Sequence, residues 1–117
     1  MNVVKRNGAV VPFDKMKIVN AINSAFVDVD GCLYETETAF DIANDIEQDF
    51  NFIQKHAKNH IPSVEQIQDA VEDYLMRSER RDVARAYIRH RYKREVAREK
   101  RDDFIEAIGE KLSASNV

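Results

Sequence analysis

Cysteine occurs once in the 117 residues, glycine three times, proline twice and tryptophan not at all. A lone Cys32 excludes an internal disulfide and an all-cysteine zinc site within one chain, and makes a cytoplasmic setting the default expectation. Gly8, Gly31 and Gly109 are too few and too scattered to build a GxxxxGK[ST] or GxGxxG phosphate loop. No apolar run approaches the ~20 residues that span a bilayer. The opening MNVVKRNGAVVPF lacks the long apolar stretch of a secretory signal. Ser-His-Asp, HExxH and CxxC patterns are missing as well. What remains is 44% apolar and 33% charged, the mixture of a folded domain rather than a disordered chain. A chain of this length should bury roughly two-thirds of its unfolded surface.

The net charge of −3 conceals a strong segregation. Residues 1–27 carry four bases against one acid, and residues 28–76 twelve acids against two bases. Residues 77–101 carry eleven bases against four acids, and residues 102–117 four acids against one base. Two basic segments therefore flank an acidic middle. An anion could sit where they meet, or the segments could simply neutralise one another on the surface.

Local signals predict an α+β chain: a small N-terminal β-hairpin of two or three strands capping a bundle of about four helices, with a charged helical extension at the C-terminus. Val3-Val4-Lys5-Arg6 and Ala9-Val10-Val11 flank Asn7-Gly8, which is expected to form a two-residue type I′ turn. Pro12 should end the second strand. Asp14 is a natural N-cap for a first helix, whose face is Ile18, Ile22, Ala25 and Phe26. Residues 27–34, with Gly31, read as a loop. A second helix is expected from about Glu35 to Lys55, with a stripe at Ala39, Ile42, Ala43, Ile46 and Phe50. A polar break follows at Lys58-Asn59-His60. Ser63 and Gln66 have the spacing of a capping box opening a third helix with Ile67, Ala70, Val71, Tyr74 and Leu75 inward. A fourth helix starts near Asp82 with Val83, Ala84, Tyr87 and Ile88. It continues as a solvated charged arm to a short apolar patch, Phe104, Ile105 and Ile108, where Gly109 is expected to end it.

Chemistry can be weighed on this frame. His56 and His60 are four apart, but no acidic or cysteine partner stands at a telling distance, so no metal site is expected. The basic stretch 77–101 could track nucleic-acid phosphates, yet four acids interleave with it, so nucleic acid is the weaker reading. A small anion is the third candidate. Lys5 and Arg6 abut the hairpin turn, and Lys17 lies in the first turn of the first helix, where unpaired N–H groups also favour an anion. Arg89, His90, Arg91 and Lys93 could close the other side. Ile18 and Ile67, with Phe13 or Tyr87, could line a flat dry slot for a base. The same residues also suit ordinary core packing and ordinary solvated cations, and spacing alone leaves both readings open.

Three stretches resemble a known family. Val3-Val4-Lys5-Arg6-Asn7-Gly8, Val11-Pro12-Phe13-Asp14 and Lys17-Ile18 resemble the opening of the ATP-cone domain. Ser63 to Glu72 is similar to that domain's third-helix signature, and Ala84-Arg85-Ala86-Tyr87-Ile88 with Arg91 to its last. Asn7 stands where Asp is more usual, and the turn tolerates either. The stretch Arg94 to Arg101 and the tail Ser113 to Val117 resemble the approach to the catalytic body of anaerobic (class III, glycyl-radical) ribonucleotide reductases.

The resemblance implies residues 1–95 as a nucleotide-binding domain and 96–117 as a helical linker toward a catalytic domain not included in the chain. It implies an allosteric regulatory domain, not itself an enzyme, that binds ATP or dATP with Mg²⁺. ATP would permit turnover of a cytoplasmic anaerobic ribonucleoside-triphosphate reductase and dATP would stop it, through changes in conformation or oligomeric state. Partners would be adenine nucleotides, the reductase's catalytic domain and other cones, with no membrane. Carried over by position, Val3 and Val4 would offer backbone contacts near the adenine. Lys5, Arg6 and Lys17 would hold phosphates, and Ile18 and Ile67 would line the base pocket. Gln68, Tyr87, His90, Arg91 and Lys93 would be further nucleotide neighbours, with Phe13 beside them. The alternative is a nucleotide-responsive DNA-binding transcriptional regulator. Its family carries an N-terminal zinc ribbon, which the single cysteine argues against.

Overall fold

The computed structural model describes residues 1–57 and 60–115. The polar break expected at Lys58-Asn59 lies outside them. The chain runs β1 (Asn2–Val4), β2 (Val10–Pro12), α1 (Lys15–Asp30), α2 (Glu37–His56), α3 (Val64–Arg77) and α4 (Arg81–Ser115), a hairpin followed by four helices. It divides into two units, one covering Met1–Tyr87 and the other starting at Ile88.

The hairpin pairs Asn2 with Pro12, Val3 with Val11 and Val4 with Val10. This corrects the expected two-residue turn, which would have set Val4 opposite Val11. The Gly8 N–H donates to the Lys5 carbonyl at 2.9 Å, and the Lys5 N–H donates to the Ala9 carbonyl at 2.8 Å. Gly8, at φ 86°, takes up the additional residue in the left-handed region. A type I turn followed by one left-handed residue is the common three-residue hairpin loop, and it needs positive φ at a single position. Asn7 supports it instead through its side chain, whose Oδ1 accepts the Ala9 N–H at 3.0 Å. Register matters because a slip of one residue exchanges the two faces of a strand. In the observed register Val3 is buried in the helical core. The Val4 N–H donates to the Pro62 carbonyl at 2.9 Å, and Val4 forms a single parallel bridge to Ser63. The sheet thus has two strands, with the entry to α3 touching its edge at one point.

Asp14 caps α1 by accepting the Met16 N–H on its side chain at 3.0 Å. The helix buries Ile18, Val19, Ile22, Ala25 and Phe26. It also takes in Val27 to Asp30, which the sequence suggested as loop. The reason is Gly31, at φ 82°, whose N–H closes the last turn on the Val27 carbonyl at 2.8 Å. α2 turns Ala39, Ile42, Ala43 and Ile46 inward. α3 opens with both halves of the capping box, Gln66 N–H to Ser63 Oγ at 3.1 Å and Ser63 N–H to Gln66 Oε1 at 2.9 Å. Its inward face is Ile67, Val71 and Leu75.

Arg80 ties the end of α1 to the start of α4. Its guanidinium lies 2.6 Å from Asp30 and 3.1 Å from Asp82 and stacks over the Phe26 ring at 5.5 Å. Hydrogen bonds to Asp30 and then Asp82 push the Arg80 pKa up, and the bond from Arg80 is the main cause holding Asp82 below the usual carboxylate range. Val83, Ala84, Ala86 and Tyr87 close the core from α4. The helix does not stop at Gly109 as expected but continues to Ser115. Gly109 is not left-handed, and beyond its chain neighbours and its own helix backbone nothing lies within 4 Å of where a Cβ would stand. With no left-handed turn formed there, it is a mid-helix glycine, at a cost of about 1 kcal/mol.

Candidate functional site

A cleft of about 540 Å³ opens between the hairpin, the start of α1 and the middle of α2. Lys5 reaches it from the end of β1, Val11, Pro12 and Phe13 from β2 and its exit, Lys15 and Lys17 from α1, and Glu47 from α2. The hairpin makes this possible. It returns the chain so that Lys5 and Lys17, twelve positions apart in sequence, line the same cleft, with the half-buried Phe13 between the strands and the helix.

Three lysines, Asp14 and Glu47 therefore line the same cleft. Lys15 is held in place: its Nζ donates to Asn44 Oδ1 on α2 at 2.8 Å. The N-terminal donors of α1 play a smaller part than the sequence suggested. The Met16 N–H is taken by the Asp14 side chain and the Lys17 N–H by the Asp14 carbonyl at 3.2 Å. An anion in the cleft must then be met chiefly by lysine side chains. Such a set suits a multiply charged phosphate ligand with an apolar portion against Phe13 and Val11. It offers two carboxylates, and among the described residues no group of three His, Cys, Asp or Glu side chains could hold a metal alone. A Mg²⁺ ion fits here only as a companion of phosphate, since magnesium commonly takes one or two carboxylates plus phosphate oxygens.

The other candidates lie elsewhere. Arg6 does not line the cleft; it lies 3.9 Å from Glu65 at the start of α3, a half-exposed pair of small energetic weight. Val3, Ile18, Ile67 and Tyr87 pack together in the hydrophobic core, the last three each 7% exposed. Val4 spends its N–H on Pro62, and Gln68 is half-buried on α3. His90, Arg91 and Lys93 belong to the second unit. There Arg91 lies 3.4 Å from Glu95 one turn on, His90 is half-buried and Lys93 is exposed. Elsewhere Tyr74 on α3 donates to Asp49 on α2, which pushes the phenol up to about 12. His56 stacks on Phe52, with ring centres 4.3 Å apart.

Sequence reasoning missed Lys15, Glu47 and the Asn44 anchor. Lys15 had a signal, as a third cation two positions before Lys17. Asn44 and Glu47, on a helix judged by its apolar stripe, had none that separates them from an ordinary solvated face.

Two kinds of comparison bear on this site. The chain matches the ATP cone domain over residues 1–96. It is 36% identical over 117 residues to an anaerobic ribonucleoside-triphosphate reductase of Haemophilus influenzae, covering 98% of this chain and 15% of that protein. It is 40% identical over 106 residues to a vitamin B12-dependent ribonucleoside-diphosphate reductase of Thermoplasma acidophilum, covering 86% of this chain and 13% of that one. It is 36% identical over 103 residues to the ribonucleoside-diphosphate reductase subunit alpha of Chlamydia muridarum, covering 84% and 10%. The chain thus spans between 10% and 15% of the length of these relatives. Among the described residues no helix is long and apolar enough to cross a membrane.

Proposed function

The chain belongs to the ATP cone domain family, and from that premise we propose that it is the regulatory part of an anaerobic ribonucleoside-triphosphate reductase. It binds ATP and dATP, and the two effectors set the activity of a catalytic body to opposite states in the cytoplasm. Residues 1–95 form the nucleotide-binding part, and residues 96–117 lead toward that body. The chain itself catalyses nothing.

The observation that carries the reading is the convergence of Lys5 and Lys17 beside Phe13 in one cleft, with Lys15 anchored next to them. In this reading Lys5, Lys17 and Lys15 meet the triphosphate and its Mg²⁺, and Phe13 shields the sugar and base. Arg6 joins by leaving its weak pair with Glu65. Val3, Ile18, Ile67 and Tyr87 act from the core of the same unit rather than from the cleft surface, and Val4 and Gln68 stand outside the cleft lining. His90, Arg91 and Lys93, in the second unit, are nucleotide neighbours by the family resemblance alone. The three reductases named above favour this role over that of a DNA-binding regulator.

ATP and dATP differ by one hydroxyl, so a site that accepts both can bind them with comparable strength. Opposite outcomes must then come from a difference in which conformation or assembly each nucleotide favours, because a ligand shifts an equilibrium only by its differential affinity. The ribose side of the cleft is where that difference acts, and residues 92–103 pass it onward. The test is to titrate the chain with each nucleotide, following binding by calorimetry and mass by light scattering. The expected result is saturable binding of both with distinct hydrodynamic states. Absence of binding at millimolar nucleotide contradicts the binding reading, and identical states at saturation contradict the switch.

A further inference from the structure

Asn44 and Glu47 stand three positions apart on α2 and so fall on one helical face. The Lys15 ammonium comes to this face and donates to the neutral amide of Asn44, at 2.8 Å, rather than to the Glu47 carboxylate. Lys5 and Lys17 line the same cleft as Glu47, yet among the described residues neither forms an ion pair with it. The other carboxylate of the lining is engaged: Asp14 Oδ1 accepts the Met16 N–H at 3.0 Å. Glu47 is half-buried, and among the described residues its carboxylate makes no hydrogen bond or ion pair. A partly buried charge without a partner is costly. In a cleft whose lysines suit a phosphate ligand it also repels that ligand. The repulsion turns to attraction if a cation stands between the two.

We propose that Glu47 meets the divalent cation carried by a phosphate ligand, and so makes the cleft select the magnesium complex of a nucleotide over its metal-free form. The inference rests on the nucleotide-binding reading above and adds the residue that sets which ionic form is taken. Magnesium dehydrates reluctantly, and commonly binds through one or two carboxylates together with phosphate oxygens while keeping several waters. One uncommitted carboxylate among three lysines matches that habit. It is too little to hold an ion alone and enough to favour one that arrives on a phosphate chain. The lysines attract phosphate oxygens in either form. Glu47 is the lining group whose effect changes sign: it is like charge to a metal-free chain, and a direct or water-bridged partner to a metal-bearing one. Asn44 serves the arrangement by keeping Lys15 away from Glu47. An ammonium bound to that carboxylate would neutralise both groups.

Calorimetric titration of ATP into the full chain, once with excess magnesium and once with EDTA in its place, tests this. The unchanged chain should bind the magnesium form more tightly. Glu47→Gln should lose about tenfold in affinity for that form, at the low end of what removing a group that supports a bound metal costs. It should gain about two- to fivefold for the metal-free form, because one like-charge contact is gone. Asn44→Ala frees Lys15 to pair with Glu47, and should reduce the magnesium preference while leaving the carboxylate in place. Circular dichroism should show both variants folded. A structural role for Glu47 lowers both affinities together, and a purely repulsive role raises both. Either result overturns the proposal, as does a magnesium preference unchanged in both variants. In each of these cases the unchanged chain still binds, and the nucleotide-binding reading stands. An unchanged chain that binds neither form removes that reading and this inference with it.

Discussion

The unit from Met1 to Tyr87 and the helix beyond it share secondary structure but not its cause. In the first, each helix presents a stripe at helical spacing that packs on the others: Ile18, Ile22 and Ala25 from α1, Ile42 and Ile46 from α2, Val71 and Leu75 from α3. Beyond Ile88, α4 has no buried residue through Lys111, and its regularity rests on helix-forming residues and pairs such as Arg91 with Glu95. The difference teaches that helical propensity and tertiary stabilisation are separate contributions. A sequence can keep its helix after losing its core, provided it carries charge in place of apolar surface.

Truncation on the two sides should show this most strongly. Ile22, with no solvent exposure, should cost about 2–5 kcal/mol when changed to Ala, the transfer loss plus the residual cavity. Ile108→Ala in the second unit, measured on dilute protein, should stay within about 0.5 kcal/mol. Denaturant unfolding followed by circular dichroism measures both, and equal losses would remove the distinction between the units.

Next comes Ser63, whose side chain caps α3 while its backbone meets the hairpin at Val4. Ser63→Ala should cost about 0.5–2 kcal/mol, and the loss should appear in the unfolding midpoint of the whole first unit, because α3 and the hairpin share a core. A midpoint unchanged within error would show that the cap is redundant.

Gly109→Ala should act in the opposite direction and on the second unit alone. Beyond the chain neighbours and the helix's own backbone nothing lies within 4 Å of the added methyl, so the change should stabilise the helix locally by about 0.5–1 kcal/mol. Ellipticity at 222 nm should rise while the main unfolding midpoint stays where it is.

The smallest effect belongs to Tyr74. Its hydrogen bond to Asp49 raises its pKa from the ordinary 10 to about 12. The neutral phenol is the stabilised form, so its contribution is whole below pH 10 and lost between about 10 and 12. Tyr74→Phe should flatten the stability profile in that window relative to the unchanged chain, with no difference at neutral pH beyond a constant offset.

Much of the fold was legible because its signals are local. Asp14 and Ser63 announce their helices by capping chemistry, and the stripes of α1 to α3 follow from spacing. The failures share a cause too. The turn register depended on whether one or two residues adopt positive φ, and Asn-Gly allows either. Gly31 and Gly109 have the same composition cue, yet only Gly31 terminates a helix, because only it turns left-handed. At the site, Lys5, Phe13 and Lys17 could be proposed together because a hairpin folds back over a short separation. Glu47 and Asn44 could not, since whether α2 brings Glu47 to the cleft and Asn44 to Lys15 depends on how it packs on α1. Arg6 shows the limit of adjacency: its neighbour Lys5 enters the cleft, while Arg6 faces Glu65.

The account rests on Lys5 and Lys17 gripping a phosphate chain in one cleft. Calorimetric titration of ATP into the chain and into Lys5→Ala and Lys17→Ala tests this most directly. Each variant should keep the unfolding midpoint and lose about 1.5–3 kcal/mol of binding free energy, roughly ten- to 150-fold in affinity. Unchanged affinity in both variants, with the fold intact, would contradict it.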